Sequence, residues 1–276
     1  MKKTKDIPRV YYFNYDNMVD RQKHIESQLS YYKIPYKQVN KNLYTSNDSN
    51  TWLKFYEDCQ IIVDSGIDRS VPANLLNYLF LMKSWLSETN DQYLIIMKDT
   101  CDLSIIDYWH FDWSYLMSSL PCDWEAIKLS VLNSFKINFF LSPVNKMEMT
   151  EAGPMLFKRS FVEKLMTIFF TSEGLVTSYD KRSVGDAIAL DPLNQSCWDV
   201  NRLLPILGSV YSLPIITIES SLYDDSNIEL KNDAIILQRA YHDWWKNRRD
   251  LFSVEDFFTY NKPYDYRMSC YLNHKI

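Results

Sequence analysis

The chain has 276 residues, 30 Lys and Arg against 35 Asp and Glu, a net charge of −5 and 46% hydrophobic residues. This composition belongs to a folded globular chain with room for a sizeable core, as one large domain or two small ones. The acidic balance excludes a general basic footprint for nucleic acid. The five glycines include no GxGxxG or GxxxxGK(S/T) run, which excludes a glycine-rich phosphate loop.

The predicted elements begin with a strand, Arg9–Asn14, β-branched and aromatic behind Pro8. A helix follows from Arg21 to about Tyr32, with Ile25, Leu29 and Tyr32 at helical spacing and Asp20 as its N-cap. Ile34–Val39 alternates as a second strand, and strand, helix, strand implies a parallel sheet. Lys41–Asn50 reads as a polar loop and Thr51–Val63 as a helix. Val71–Thr89 is a stronger helix, with Leu75, Leu76, Leu79, Met82, Trp85 and Leu86 on one stripe and Pro72 in its first turn. Tyr93–Met97 is a short apolar run, read as a strand buried on both faces.

Trp109–Leu120 reads as a helix ended by Pro121, and Trp124–Leu129, Phe135–Leu141 and Gly153–Lys158 as strands. A helix at Ser160–Phe170 takes Ser160 as cap, with Glu163 at its third position. Trp198–Gly208 is helical around Pro205, Val210–Ile218 is strand-like, and Ala234–Arg249 is helical with Trp244 and Trp245. The simplest organisation is one α/β domain with a less regular tail: residues 1–230 as the main unit and 231–276 as a helical, aromatic-rich extension of it.

Two stretches carry candidate chemistry. Lys98-Asp99-Thr100-Cys101-Asp102 leaves the Tyr93–Met97 strand at its carboxyl end, where open α/β sheets place their ligands. Asp99 and Asp102 there could hold a divalent cation through carboxylate oxygens; the plainer reading is a polar turn after a strand. Asn14-Tyr15-Asp16-Asn17-Met18-Val19-Asp20-Arg21 crowds the end of the first strand, and Arg21 could pair with a phosphate or with a neighbouring acid. The five cysteines (Cys59, Cys101, Cys122, Cys197, Cys270) are scattered without a CxxC pair, which suits thiols in a reducing compartment. The basic N-terminus has no apolar run behind it, as expected of a cytoplasmic chain without a signal peptide, and no stretch approaches the roughly 18 apolar residues of a spanning helix.

In order, these motifs resemble the family 25 glycosyltransferases, the lipopolysaccharide-type and collagen galactosyltransferase-like group. Asn14, Asp16, Asp20 and Arg21 are similar to that family's Asn-x-Asp opening and following Arg. The stretch 93–104 resembles its acidic strand-end motif, with Asp99 on the first Asp, Lys98 on a Glu and Thr100 on the second Asp. Pro121-Cys122-Asp123-Trp124-Glu125 resembles its Pro-x-Asp-Trp-Asp element, and 153–160 its Gly-led strand-to-helix element. Asp199 resembles its late acid, ahead of Tyr211-Ser212-Leu213-Pro214.

The resemblance spans about residues 8–228. It implies a GT-A type α/β fold, a mostly parallel central sheet flanked by helices that binds a nucleotide sugar. It further implies a hexosyltransferase with a nucleotide-sugar donor, most often a UDP-hexose, a glycan or small acceptor, and Mn²⁺ or Mg²⁺. Its expected assignments are Asp99 and Asp102 for the metal, Asn14, Asp16, Arg21, Lys98 and Thr100 for the donor, and Asp199 and Asp123 for catalysis. Trp124 could stack on a sugar face or pack in the core. Lys98 and Thr100, standing where the family has acids, motivate the alternative of a catalytically degenerate member that binds nucleotide sugar or glycan, or acts as a scaffold.

Overall fold

The structure is a computed structural model that describes residues 3–14, 18–39, 70–130, 139–144, 153–171, 174–175, 200–219, 228–247, 249–251 and 253–258. The elements are β1 (Val10–Phe13), α1 (Val19–Tyr31), β2 (Tyr36–Gln38), α2 (Ser70–Glu88), β3 (Tyr93–Lys98) and β4 (Cys101–Asp102). A 3-10 turn (Ser104–Tyr108), α3 (Trp113–Ser119), β5 (Ala126–Lys128), β6 (Ser142–Pro143), β7 (Met155–Lys158) and α4 (Arg159–Phe169) follow. The chain continues through β8 (Phe170–Thr171), β9 (Gly174–Leu175), α5 (Val200–Leu207), β10 (Val210–Ser212), β11 (Thr217–Ile218), α6 (Ile228–Asn247) and α7 (Val254–Phe258).

Seven strands form the central sheet in the order β2-β1-β3-β7-β5-β10-β6. β1 is parallel to β2 and to β3, β10 is parallel to β5, and β7 and β6 run antiparallel to their neighbours. Five of the seven strands therefore point the same way, and the mostly parallel α/β sheet expected from the opening βαβ pattern is present.

Strand alternation divides the core into two layers. Ile95 and Met97 of β3, with Val10 and Tyr12 of β1, join the cluster that contains residues of α1, α3 and α6. Leu94 and Ile96, with Tyr11 and Phe13, join the cluster of α2, α4 and α5. The apolar run of β3 is needed because both faces are covered. The α6 helix belongs to the first layer: Trp245 is fully buried and its Nε1 donates to the Pro214 carbonyl at 2.9 Å. Trp244 is buried as well, stacked on Phe139.

Several expected boundaries move for local reasons. α1 starts at Val19 with Met18 as N-cap and no side-chain cap, so Asp20 lies in the first turn instead of capping it. α4 likewise starts at Arg159, with Lys158 at the cap position and no side-chain bond from Ser160. The helix expected over 109–120 starts later: Asp112 caps a shorter α3, accepting from Tyr115 N at 2.8 Å, and the preceding 3-10 turn ends at Tyr108. Pro214 cannot donate to a ladder, and the run 210–218 divides into β10 and β11, the latter pairing with β4 in a small separate sheet. The expected loop 41–50, the helix 51–63 and residues 135–138 lie outside the described residues.

Candidate functional site

The carboxyl ends of β1, β3 and β5 share one edge of the sheet. Phe13 is in register with Lys98, and Asp99 N donates to the Phe13 carbonyl at 3.0 Å, which carries Asn14 and Asp99 side by side past the strand ends. Both are polar and nearly inaccessible, Asn14 at 5% and Asp99 at 2% exposure, and Thr100 is buried beside them. Buried polar groups cost free energy unless they are bonded, so a cluster of them at a strand edge asks for a role. Asn14 Nδ2 donates to the Met18 carbonyl at 2.9 Å, closing the start of α1 onto β1. Its Oδ1 is buried and receives no hydrogen bond among the described residues.

The segment after Asp99 is held from two sides. From α1, Gln28 Oε1 accepts from Leu103 N at 2.6 Å and Gln28 Nε2 donates to the Cys101 carbonyl at 3.2 Å. From the other side, Glu219 N donates to the Thr100 carbonyl at 2.8 Å, and β11 pairs with β4. Asp102 is occupied in this frame. Its Oδ1 accepts from Ser104 N at 2.8 Å, and its Oδ2 accepts from Ser104 Oγ at 2.9 Å and Thr217 Oγ1 at 3.2 Å. Asp102, expected beside Asp99 as a metal ligand, thus accepts hydrogen bonds from Ser104 at the start of the 3-10 turn and from Thr217 of β11.

The electrostatics of this corner are acidic. Burial raises the Tyr12 phenol well above its usual range, and the Glu26 carboxylate that accepts its hydrogen bond and the charge of Asp99 push the same way. Burial also lifts the Cys101 thiol to about 12, with Asp99 and Asp102 adding to the shift. Lys98 is half-buried at the end of β3, and by alternation after Met97 it belongs to the α2 side of the sheet. Arg21 is half-buried in the first turn of α1. Asp16 and Asp199 lie outside the described residues.

Asp123 is not brought to this edge. It precedes β5, whose Ala126 is in register through Phe157 with Leu94, near the start of β3. Asp123 is therefore on the amino edge, exposed, accepting from the Tyr211 hydroxyl at 2.9 Å. Asp123, expected for catalysis, is separated from Asp99 by the length of β3. Trp124 shares the amino edge and is a core residue, buried, stacked on Tyr93 at 5.8 Å and covered by Lys158 Nζ at 4.6 Å. An open depression of about 530 Å³ also lies on the amino edge, bounded by Pro8, Arg9, Pro35 and residues 89–93. None of its ionisable residues is buried.

Three further buried polar residues adjoin the carboxyl edge: Lys128, Ser130 and Asn201. Lys128 Nζ donates to the Asn201 carbonyl at 3.3 Å. Asn201 is four residues before Pro205, which lies inside α5 and has no N–H to offer that carbonyl. The lysine gives that carbonyl a donor, which Pro205 cannot be. The signal in the sequence was a lysine inside an apolar strand and a proline four residues after a polar one, but nothing local links the two.

No protein-family model matches the chain, and no curated protein matches it in sequence. Solved structures similar to the chain at low identity include these two. A197 from STIV shares 10% identity over 76% of this chain and 84% of its own, with a TM-score of 0.41. A glycosyltransferase involved in the glycosylation of the major capsid of PBCV-1 shares 6% identity over 83% of this chain and 98% of its own, with a TM-score of 0.31. Among the described residues, no helix is long and apolar enough to cross a membrane.

Proposed function

We propose that the chain is a glycosyltransferase that moves a hexose from a nucleotide sugar, a UDP-hexose first, to a glycan or small acceptor. The observation that carries this reading is the buried Asp99–Asn14 pair where parallel strands end, the position at which open α/β sheets take nucleotides. The family resemblance of the ordered motifs supports it.

In this reading Asn14 and Thr100 line the donor site, and Arg21 and Lys98 bring positive charge to the diphosphate. Asp16 enters on its place in the motif, and so does Asp199 as the group that takes the acceptor proton. A divalent cation, Mn²⁺ or Mg²⁺, would supply Lewis-acid neutralisation of the departing diphosphate. The residues present fit such an ion: a buried carboxylate on Asp99 stands beside a buried, undonated amide oxygen on Asn14. Among the described residues no group of three His, Cys, Asp or Glu gathers to hold a metal. That suits an ion held by one or two protein oxygens, with phosphate and water completing the shell.

Incubation with UDP-glucose, UDP-galactose and UDP-N-acetylhexosamines plus Mn²⁺ should release UDP, and Asp99→Asn should abolish the release. Failure to bind any nucleotide sugar, with or without metal, overturns the proposal. A second reading follows from the occupation of Asp102 by Ser104 and Thr217. The expected pair of acids is then not assembled on the metal, as in a chain that binds nucleotide sugar without transferring it. Nucleotide binding with no UDP release from any donor would select that reading.

A further inference from the structure

The side chain of Asn14 is held from one end and open at the other. Its Nδ2 donates to the Met18 carbonyl at 2.9 Å, which turns Oδ1 away from α1's first turn. That oxygen is buried and has no donor among the described residues. A buried amide oxygen left in this state is costly. The neighbouring position is Asp99, one strand away in a parallel ladder and itself buried. Neighbouring strands are about 4.8 Å apart, a spacing from which two side-chain oxygens can converge on one ion. A neutral amide oxygen and a carboxylate oxygen, both hard, form the ligand chemistry of Mg²⁺ and Mn²⁺.

We propose that Asn14 is a direct ligand of the divalent cation, acting through Oδ1 beside the Asp99 carboxylate. In this arrangement Asn14 stands beside Asp99 as the second protein oxygen, while Asp102 accepts from Ser104 N and Oγ. The inference rests on the glycosyltransferase reading only for the diphosphate that completes the shell. The metal is held by oxygens from two adjacent strand ends, so its position is set by the β1–β3 register and not by the loop beyond.

Calorimetry of Mn²⁺ binding to the full chain, alone and with UDP, tests this, together with the electron paramagnetic resonance signal of bound Mn²⁺. Asn14→Ala and Asn14→Asp both remove the donor to the Met18 carbonyl, so a merely structural role predicts that both weaken Mn²⁺ binding alike. A ligand role predicts opposite signs: Asn14→Ala weakens binding by roughly tenfold, and Asn14→Asp, by adding a charged oxygen, tightens it by about as much. Asn14→Asp should also lower the thermal midpoint in EDTA, through repulsion with Asp99, and recover it on adding Mn²⁺. Parallel losses in both variants, or wild-type affinity in both, overturn the inference. UDP-hexose binding that ignores Mn²⁺ overturns it while leaving the glycosyltransferase reading in place, whereas absence of all nucleotide binding removes both.

Discussion

Replacing Lys128 by Met keeps the buried aliphatic stem and removes only the ammonium. The Asn201 carbonyl then loses the donor at 3.3 Å, and Pro205, four residues on, cannot replace it. Both residues are nearly inaccessible, so water does not fill in cheaply. Loss of this buried hydrogen bond should cost about 1–3 kcal/mol. At about 2–4 °C per kcal/mol for a chain of this size, the thermal midpoint should fall by roughly 2–12 °C. Pro205→Ala restores an amide N–H to the helix, and that N–H reaches the same carbonyl. In the Pro205→Ala background Lys128→Met should therefore cost about 1–2 kcal/mol less than it does alone. Urea unfolding of the four proteins, followed by fluorescence of the eight tryptophans, closes the cycle. Additivity within about 0.5 kcal/mol would refute the account, because lysine and proline would then act on different groups.

Three other outcomes follow. Asp123→Ala should leave nucleotide-sugar binding within about twofold of wild type and cost about 0.5–1.5 kcal/mol, for one hydrogen bond from Tyr211 on the far edge of the sheet; calorimetry with UDP reads the first and urea unfolding the second. Alkylation at pH 8 followed by peptide mapping should label the exposed Cys122 and spare Cys101, whose thiol, lifted to about 12 by burial, stays protonated in the folded chain. Gly208→Ala should destabilise by about 1–3 kcal/mol, because a Cβ there falls against Glu125 Oε2 and 2.5 Å from a Phe161 ring carbon; the thermal midpoint measures it.

Periodicity found most of the described elements because the two strongest patterns are local. The β-branched and aromatic run 10–13 and a helical stripe along 70–88 need no partner to be read. Caps were less legible. Asp20 and Ser160 are good cap types, but each lies one residue inside its helix, and the chain starts those helices from Met18 and Lys158 without a side-chain bond. The candidate site divides in the same way. Asn14, Asp99 and Thr100 follow apolar strands, and the polar exit of a buried strand is visible in the sequence. The occupation of Asp102 was not, because one of its partners, Thr217, is 115 residues away.

From the amino-acid order alone came the α/β class, the first βαβ unit and the polar strand end at Asp99, since each depends on neighbours within a few turns of chain. Only the tertiary structure decided which polar residues share an edge. Asp123 and Asp99 both adjoin strands, and β7, antiparallel to β3 and to β5, leaves those two pointing the same way. The acid before its strand and the acid after its strand therefore lie at opposite ends of the sheet. Strand direction is a property of the pairing and not of either segment. The same holds for Lys128 and Asn201, which meet across 73 residues through the packing of α5 on the sheet.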